Sequence, residues 1–301
     1  MLHITNGDSV IESFRDAGMP GVYLPWRDVL HDGAVPQRDT LEALSDVRAR
    51  ELTRIGFGNE EDHASLRAEF AKRDATLAAF REHDETVLWF EHDLYDQLQL
   101  LQILSWFSTE DLNGVQLSMI QIGSHPEVSP FYGLGQLTGA QLAALLPARK
   151  PVTRQQLDLG HEVWTAFCAP EPSALQPFAL ASDAALPFLQ PALARFLEEY
   201  PSDNDRLSRI ERELLTAAQA GAATRESLCA ATWKMEPWPW GDLSIYVRLN
   251  GLASGPQPAI DRHGDLYALN DYGRRLLAGD PAAVRSRTVD TWLGGVHVII
   301  R

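Results

Sequence analysis

The chain has 301 residues, 45% of them hydrophobic, and carries 26 Lys/Arg against 41 Asp/Glu for a net charge of −15. That length and apolar content support a sizeable core spread over two or three domains. Residues 1–200 hold 14 basic and 29 acidic side chains, and residues 201–301 hold 12 of each, so the field of the first part repels polyanions and disfavours nucleic acid as its partner.

No run approaches the roughly 18 apolar residues of a spanning helix, so no membrane partner is expected. Met1–Asn6 has neither the basic start nor the apolar run of a signal peptide. Cys168 and Cys229 form neither a disulfide framework nor a metal-type spacing. The expectation is a soluble, cytoplasmic protein.

Leu2–Thr5 reads as a buried parallel strand, and Val10–Arg15 as the helix that follows it. Gly21–Leu24 is a second strand, ended by Pro25. Residues 38–85 read as helices, one over Leu41–Ile55 capped by Thr40 and one over about 61–82, with Gly56–Asn59 as the break. The pair is either a wall or lid over the strand ends or a solvated crossover. Thr86–Phe90 is a third strand, Leu94–Phe107 an apolar helix and Val115–Ile122 a fourth strand. Alternating strands and helices imply a parallel sheet with right-handed crossovers.

From Leu137 the texture turns to helix only: Gly139–Leu146 capped by Thr138, Arg154–Phe167 capped by Thr153, and Ala184–Tyr200. Past the turn-prone Pro201–Asp205, helices begin near Leu207, after Thr224 and after Asp242, the last two residues acting as caps. A hairpin over Ala259–Leu269, a closing helix from Asn270 and an apolar edge strand over Trp292–Ile300 complete the chain. The fold class expected is α/β: a Rossmann-like parallel sheet domain over 1–135, a helical connecting region over 136–200 and a winged-helix-like domain over 201–301.

Three strands end in polar knots. Asn6-Gly7-Asp8-Ser9 forms a turn at a helix start, where free N–H groups attract anions, while capping by Asn6 or Asp8 is the structural alternative. Trp26-Arg27-Asp28 with His31 offers a flat ring, a bidentate cation and proton carriers, or else an Arg–Asp pair that shapes the loop with Trp26 in the core. Glu91-His92-Asp93 stands where an acid–base pair would stand, with Asp93 also suited to cap the next helix. Ligands of open α/β sheets sit beyond the strand ends at the switch in strand order. The catalytic candidates are therefore Asp8, Asp28, His31, Glu91 and His92, and the ligand-binding candidates Asn6, Gly7, Ser9, Trp26, Arg27 and Asp93. Asp8, Asp28, His31 and His92 are metal-competent types without diagnostic spacing, so no metal is assigned, and the cofactor stays open.

Gly7-Asp8-Ser9 after a first strand resembles the opening block of the Gly-Asp-Ser serine hydrolases, which implies Ser9 as nucleophile. The only Asp-x-x-His spacing near it is Asp28…His31, and no Gly-x-Asn-Asp block follows. His3–Ser9, Trp26–Gly33, Leu88–Leu98 and the Trp292–His297 tail together resemble a bacterial family catalogued as domain of unknown function 1835. That resemblance implies a bacterial, stand-alone cytoplasmic protein and carries no assigned reaction.

The preferred expectation is binding, with or without transformation, of a small anionic metabolite such as a nucleotide or sugar phosphate. Arg27 would take the anion, and Glu91 or His92 would move protons. A second expectation is a ligand-responsive regulator whose winged-helix-like end mediates interaction or homodimerisation. DNA is disfavoured there because Leu243–Ala253 bears one cation, Arg248. A basic face across Arg248, Arg262 and Arg274 would revive it.

Overall fold

The structure, a computed structural model, describes residues 1–57, 62–221, 223–238 and 240–301. The chain divides into two compact units. The first comprises Met1–Arg54, Gly58–Ala194 and Gly294–Val296, the second Ile55–Phe57, Arg195–Leu293 and His297–Arg301.

In the first unit the order is β1 (Leu2–Thr5), α1 (Ile11–Asp16), β2 (Val22–Pro25), β3 (Gly33–Ala34), α2 (Leu41–Ile55), α3 (Asp62–Ala78), β4 (Glu85–Phe90), α4 (Leu94–Ser108), β5 (Gln116–Gln121), α5 (Gly139–Leu145), β6 (Lys150–Pro151), α6 (Arg154–Cys168), α7 (Gln176–Leu180) and α8 (Leu189–Leu197). The fold is mixed α/β. Its five-stranded sheet runs β2-β1-β4-β5-β6, parallel except for β6. The chain steps from β1 to β2 on one side and then returns past β1 to β4 on the other, so the switch in strand order falls beside β1. Thr5 pairs with Pro25 on one side and Trp89 on the other, so Asn6, Trp26 and Phe90 emerge level at one edge.

Alternation along the strands sorts the core. Val87, Trp89 and Ile120 pack with Val10, Phe14, Leu134, Leu137 and Leu142 of α1, α5 and the segment before α5. Leu88 and Phe90 point to the opposite face and are equally buried. Helix α4 is buried nearly all round, glutamines included, because it packs on the sheet and against α6. Gly160 of α6 allows that approach: a Cβ there would lie 2.5 Å from Leu104 Cβ.

Thr40, Thr138 and Thr153 cap α2, α5 and α6 by accepting backbone N–H bonds, as their sequence positions suggest. The expected break at Gly56–Asn59 and the start of the helix at residue 61 lie partly outside the described residues; α3 runs to Ala78 and tightens into a 3-10 turn over Ala79–Glu82. Two expectations for the first unit differ from the structure. The stretch after Leu137 is not helix only, because Lys150–Pro151 pairs antiparallel with Ser118–Met119. The last helix of that stretch begins at Leu189 rather than Ala184, because Pro187 disfavours the helical region for the residue before it.

The second unit contains α9 (Arg209–Ala218), β7 (Ala223–Thr224), α10 (Arg225–Trp233), α11 (Asp242–Leu252), β8 (Ile260–His263), β9 (Leu266–Leu269), α12 (Asp271–Leu277) and α13 (Pro281–Ser286). β7, β9 and β8 form an antiparallel sheet in that order. Thr224 and Asn270 cap α10 and α12. Asp242 is not a cap but the first helical residue, with Gly241 in the cap position. The tail forms two strands, β10 (Val289–Gly294) and β11 (Val296–Ile300), where one was expected. Gly294, at φ 60°, supports the turn between them. Among the described residues, no helix is long and apolar enough to cross a membrane.

Candidate functional site

The three polar knots do emerge at one edge of the sheet, and backbone bonds tie them together. Asn6 O accepts from Arg27 N–H at 3.0 Å and from the Tyr95 hydroxyl at 3.2 Å. The side chains then diverge.

After β1, the Thr5 hydroxyl donates to Gly7 O at 2.8 Å and sets the turn. Neither Asn6 nor Asp8 caps α1, whose N-cap is Val10 without a side-chain bond. Asn6 Nδ2 instead donates to Asp96 Oδ2 at 2.7 Å. Asp8 takes a bidentate pair from Arg27, Nε to Oδ2 at 2.6 Å and Nη2 to Oδ1 at 2.5 Å. Gly7 is half-buried and Ser9 exposed. No hydrogen bond joins Ser9 Oγ to a histidine among the described residues.

After β2, Arg27 sits at φ 58°, a left-handed conformation uncommon for a residue with a Cβ. That backbone turns Arg27 outward and its neighbours inward. Trp26 is wholly buried, with its Nε1–H donating to Gln102 Oε1 at 2.7 Å and the Arg73 guanidinium 4.2 Å from its ring. Its ring is core, not an exposed platform. The arginine that shapes the loop is not Arg27 but Arg48, whose Nε and Nη2 both lie 3.0 Å from Asp28 Oδ1. Arg48 also donates to the carbonyls of Val29, Asp32 and Ala34 at 2.8 to 3.0 Å. Arg73 Nη1 stands 3.8 Å from Asp28 Oδ2. Helices α2 and α3 are therefore a packed wall of this loop, each sending one arginine into it. His31 is buried too, 3.7 Å from Asp32 and edge-on to Tyr95.

After β4, Asp93 caps α4 by accepting the Asp96 N–H at 2.9 Å. Asp96 turns back and accepts the Glu91 N–H at 2.7 Å. Glu91 accepts the Leu134 N–H, and Gly133 packs so closely on its carboxylate that any Cβ there would collide. The carboxylates of Glu91, Asp93 and Asp96 all lie within 4.8 Å of one another. Burial, reinforced by Asp93, pushes Glu91 up to about 8 against the opposing Leu134 bond. Burial also raises Asp93 to about 6 and lifts Asp96 well above the ordinary carboxylate range. Three carboxylates this close cannot all be ionised near neutrality without a proton or cation among them. Oxygen donors of this kind suit a hard divalent ion in type. His92 is buried between the rings of Phe131 and Phe188, and that burial lowers its pKa.

Asp8, Asp28 and His92 thus share a sheet edge but face three different environments. The open space lies on the Asp8 side. A cavity of about 370 Å³ runs along edge strand β2 between α1 and α3, lined among others by Asp8, Arg15, Arg27, Glu69 and Lys72. Neither Arg15 nor Lys72 has a carboxylate partner among the described residues. Arg48, Arg73, Lys72, Arg15 and Asp96 were not singled out from sequence. Arg48 left a trace, because it stands on the apolar stripe between Leu44 and Leu52 at a spacing of four. Asp96 left another, three residues past its capping partner Asp93. No family model matches this chain, and no curated protein is similar to it.

Proposed function

We propose that the chain binds a small phosphate-bearing metabolite, a nucleotide or sugar phosphate, in the cavity between α1 and α3, with its anion on Arg27, Arg15 and Lys72. The observation that carries this is the pair of cations, Arg15 and Lys72, that have no carboxylate partner among the described residues and line a cavity in the acidic part of the chain. Arg27 adds its Nη1 donor, 3.7 Å from Glu69, while its Nε and Nη2 fork is held by Asp8. Asp8 and Glu69 offer acceptors for ribose or sugar hydroxyls. Glu91 and His92, the proton carriers expected from sequence, do not line this cavity, so binding without transformation is the reading assigned. The order of its motifs supports placing the chain with the domain of unknown function 1835 family.

The test is calorimetric titration with adenosine monophosphate, glucose 6-phosphate and inorganic phosphate. Binding by at least one, weakened tenfold or more in Arg15→Ala/Lys72→Ala, supports the assignment. A ligand at 100 times its dissociation constant also adds about 2.7 kcal/mol of stability. Absence of binding across the set, or binding indifferent to the two substitutions, refutes it.

A second reading concerns the second unit, whose order of helix, short strand, two helices, hairpin and helix supports a winged-helix-like module. Its cations favour protein contact or homodimerisation over DNA. Arg248 is held by Glu199 at 3.1 Å, Arg274 by Asp271 at 2.6 Å, and Arg262 by the Gly264 carbonyl at 3.0 Å. Sedimentation of the whole chain tests it: a monomer at high micromolar concentration would exclude the homodimer.

A further inference from the structure

A second cavity, of about 190 Å³, lies in the first unit between the start of α2 and the facing sides of α4 and α6. We propose that it binds a small monocarboxylate with a flat apolar body. This assignment is independent of the phosphate site and shares none of its residues.

The cavity combines apolar walls with donors. Trp106, Trp164, Leu41 and Leu44 line it. Gln102, 3% exposed, is also part of the lining; its Oε1 accepts from Trp26, which fixes the amide, and its buried Nε2 has no hydrogen-bond partner. A buried amide N–H₂ left unpaired costs about 1–3 kcal/mol, so an acceptor that satisfies it is favoured. Ser105 Oγ lies 3.1 Å from His161 Nδ1. This bond has two directions open to it, and the one in which the hydroxyl donates to Nδ1 leaves the His161 proton on Nε2 as a further donor. At the mouth, Arg38 has no carboxylate partner among the described residues, and α2 begins there at Thr40 and Leu41, adding the positive end of a fifteen-residue helix. Asp39 at the same mouth opposes an anion and favours one that carries a single charge.

The size fits the class. A cavity of about 150 Å³ accommodates benzene, so 190 Å³ takes a ring or short branched chain with a carboxylate at its rim. Arg38, the unpaired Gln102 Nε2 and the start of α2 favour a carboxylate over an amine. The two tryptophans select a flat or compact apolar body over a polyol.

The test is calorimetric titration of the whole chain with benzoate and isovalerate, with benzamide as the uncharged control. One of the two acids binds with one-to-one stoichiometry, and benzamide binds at least tenfold more weakly than benzoate. Gln102→Leu and Thr165→Trp each weaken the acid at least tenfold. Gln102→Leu also removes the bond to Trp26, so Thr165→Trp, at an exposed position of the lining, separates lost binding from lost folding. Absence of binding by both acids, benzamide binding as tightly as benzoate, or full affinity in Thr165→Trp overturns the proposal. Arg15→Ala/Lys72→Ala leaves this binding unchanged, so failure here and failure at the phosphate site are distinguishable.

Discussion

Arg48 and Asp28 form an ion pair in which neither side chain is exposed to solvent, with two guanidinium nitrogens 3.0 Å from one carboxylate oxygen. A buried pair of this kind contributes little as a pair but is costly to break, because the survivor is left charged and dry. Arg48 additionally closes three carbonyls of residues 29–34, so it fixes the course of the loop. Arg48→Met is expected to lower unfolding free energy by about 3–5 kcal/mol in urea titrations. Arg48→Lys should recover less than half of that, since an ammonium cannot reproduce the planar fork. Full recovery by lysine would show that charge alone, not the geometry of the loop, is what Arg48 supplies.

The carboxylates at the start of α4 predict a pH dependence of stability. Glu91 is raised to about 8, whereas unfolded it titrates near about 4.3. Between those values the folded chain holds the proton and the unfolded chain does not. Stability is therefore fully present below about pH 4 with respect to this group, falls as pH rises and levels off above 8. One retained proton gives a slope of about 1.4 kcal/mol per pH unit. Asp93, raised to about 6, steepens the fall over the lower part of the window. Glu91→Gln should flatten the slope between pH 6 and 8 and make the variant the more stable protein at pH 8. Denaturation curves at four pH values decide this, and parallel slopes for both proteins would contradict a protonated Glu91.

Much of this arrangement is legible in the primary structure, and what is not has identifiable causes. Strand ends at Thr5, Pro25 and Phe90 are marked by apolar runs that stop at polar knots, and caps such as Thr40 and Thr153 announce themselves by type. The choice of partner is not local. Asp28 could pair with adjacent Arg27 or with Arg48 twenty residues on, and only the left-handed backbone at Arg27 decides it by sending that side chain to Asp8. Lys150–Pro151 is too short to carry any alternation, so its place in the sheet depends entirely on the neighbouring strand. Asp8, Asp28 and His92 share an edge, but a register of strands says nothing about which way each side chain then turns.

Arg27 separates folding from binding. Its pair with Asp8 is largely exposed, at 46% and 60%, so its worth is at most about 1 kcal/mol. Its φ of 58° is one that glycine adopts without strain. Arg27→Gly should therefore change stability by less than about 1 kcal/mol, with relieved backbone strain offsetting the lost pair. The same substitution should weaken phosphate-ligand binding at least tenfold. A variant that unfolds readily would mean that Arg27 is chiefly structural, and one that binds normally would remove it from the site.

The second unit holds an ionic core that predicts non-additive behaviour. Arg195 donates to Glu236 and Glu199, each almost completely buried, and its guanidinium lies 4.7 Å from the Trp240 ring. Removing Glu236 leaves Arg195 with a buried positive charge only partly matched by Glu199, whose other oxygen is taken by Arg248. Glu236→Leu alone should cost about 3–5 kcal/mol, and Arg195→Met alone a similar amount for the opposite reason. The double variant removes both charges and replaces them with apolar groups of comparable length. Its cost should be smaller than the sum of the single costs by at least about 2 kcal/mol. Thermal and urea denaturation of the four proteins closes the cycle, and strictly additive values would mean that the two side chains are stabilised independently, each by its other neighbours.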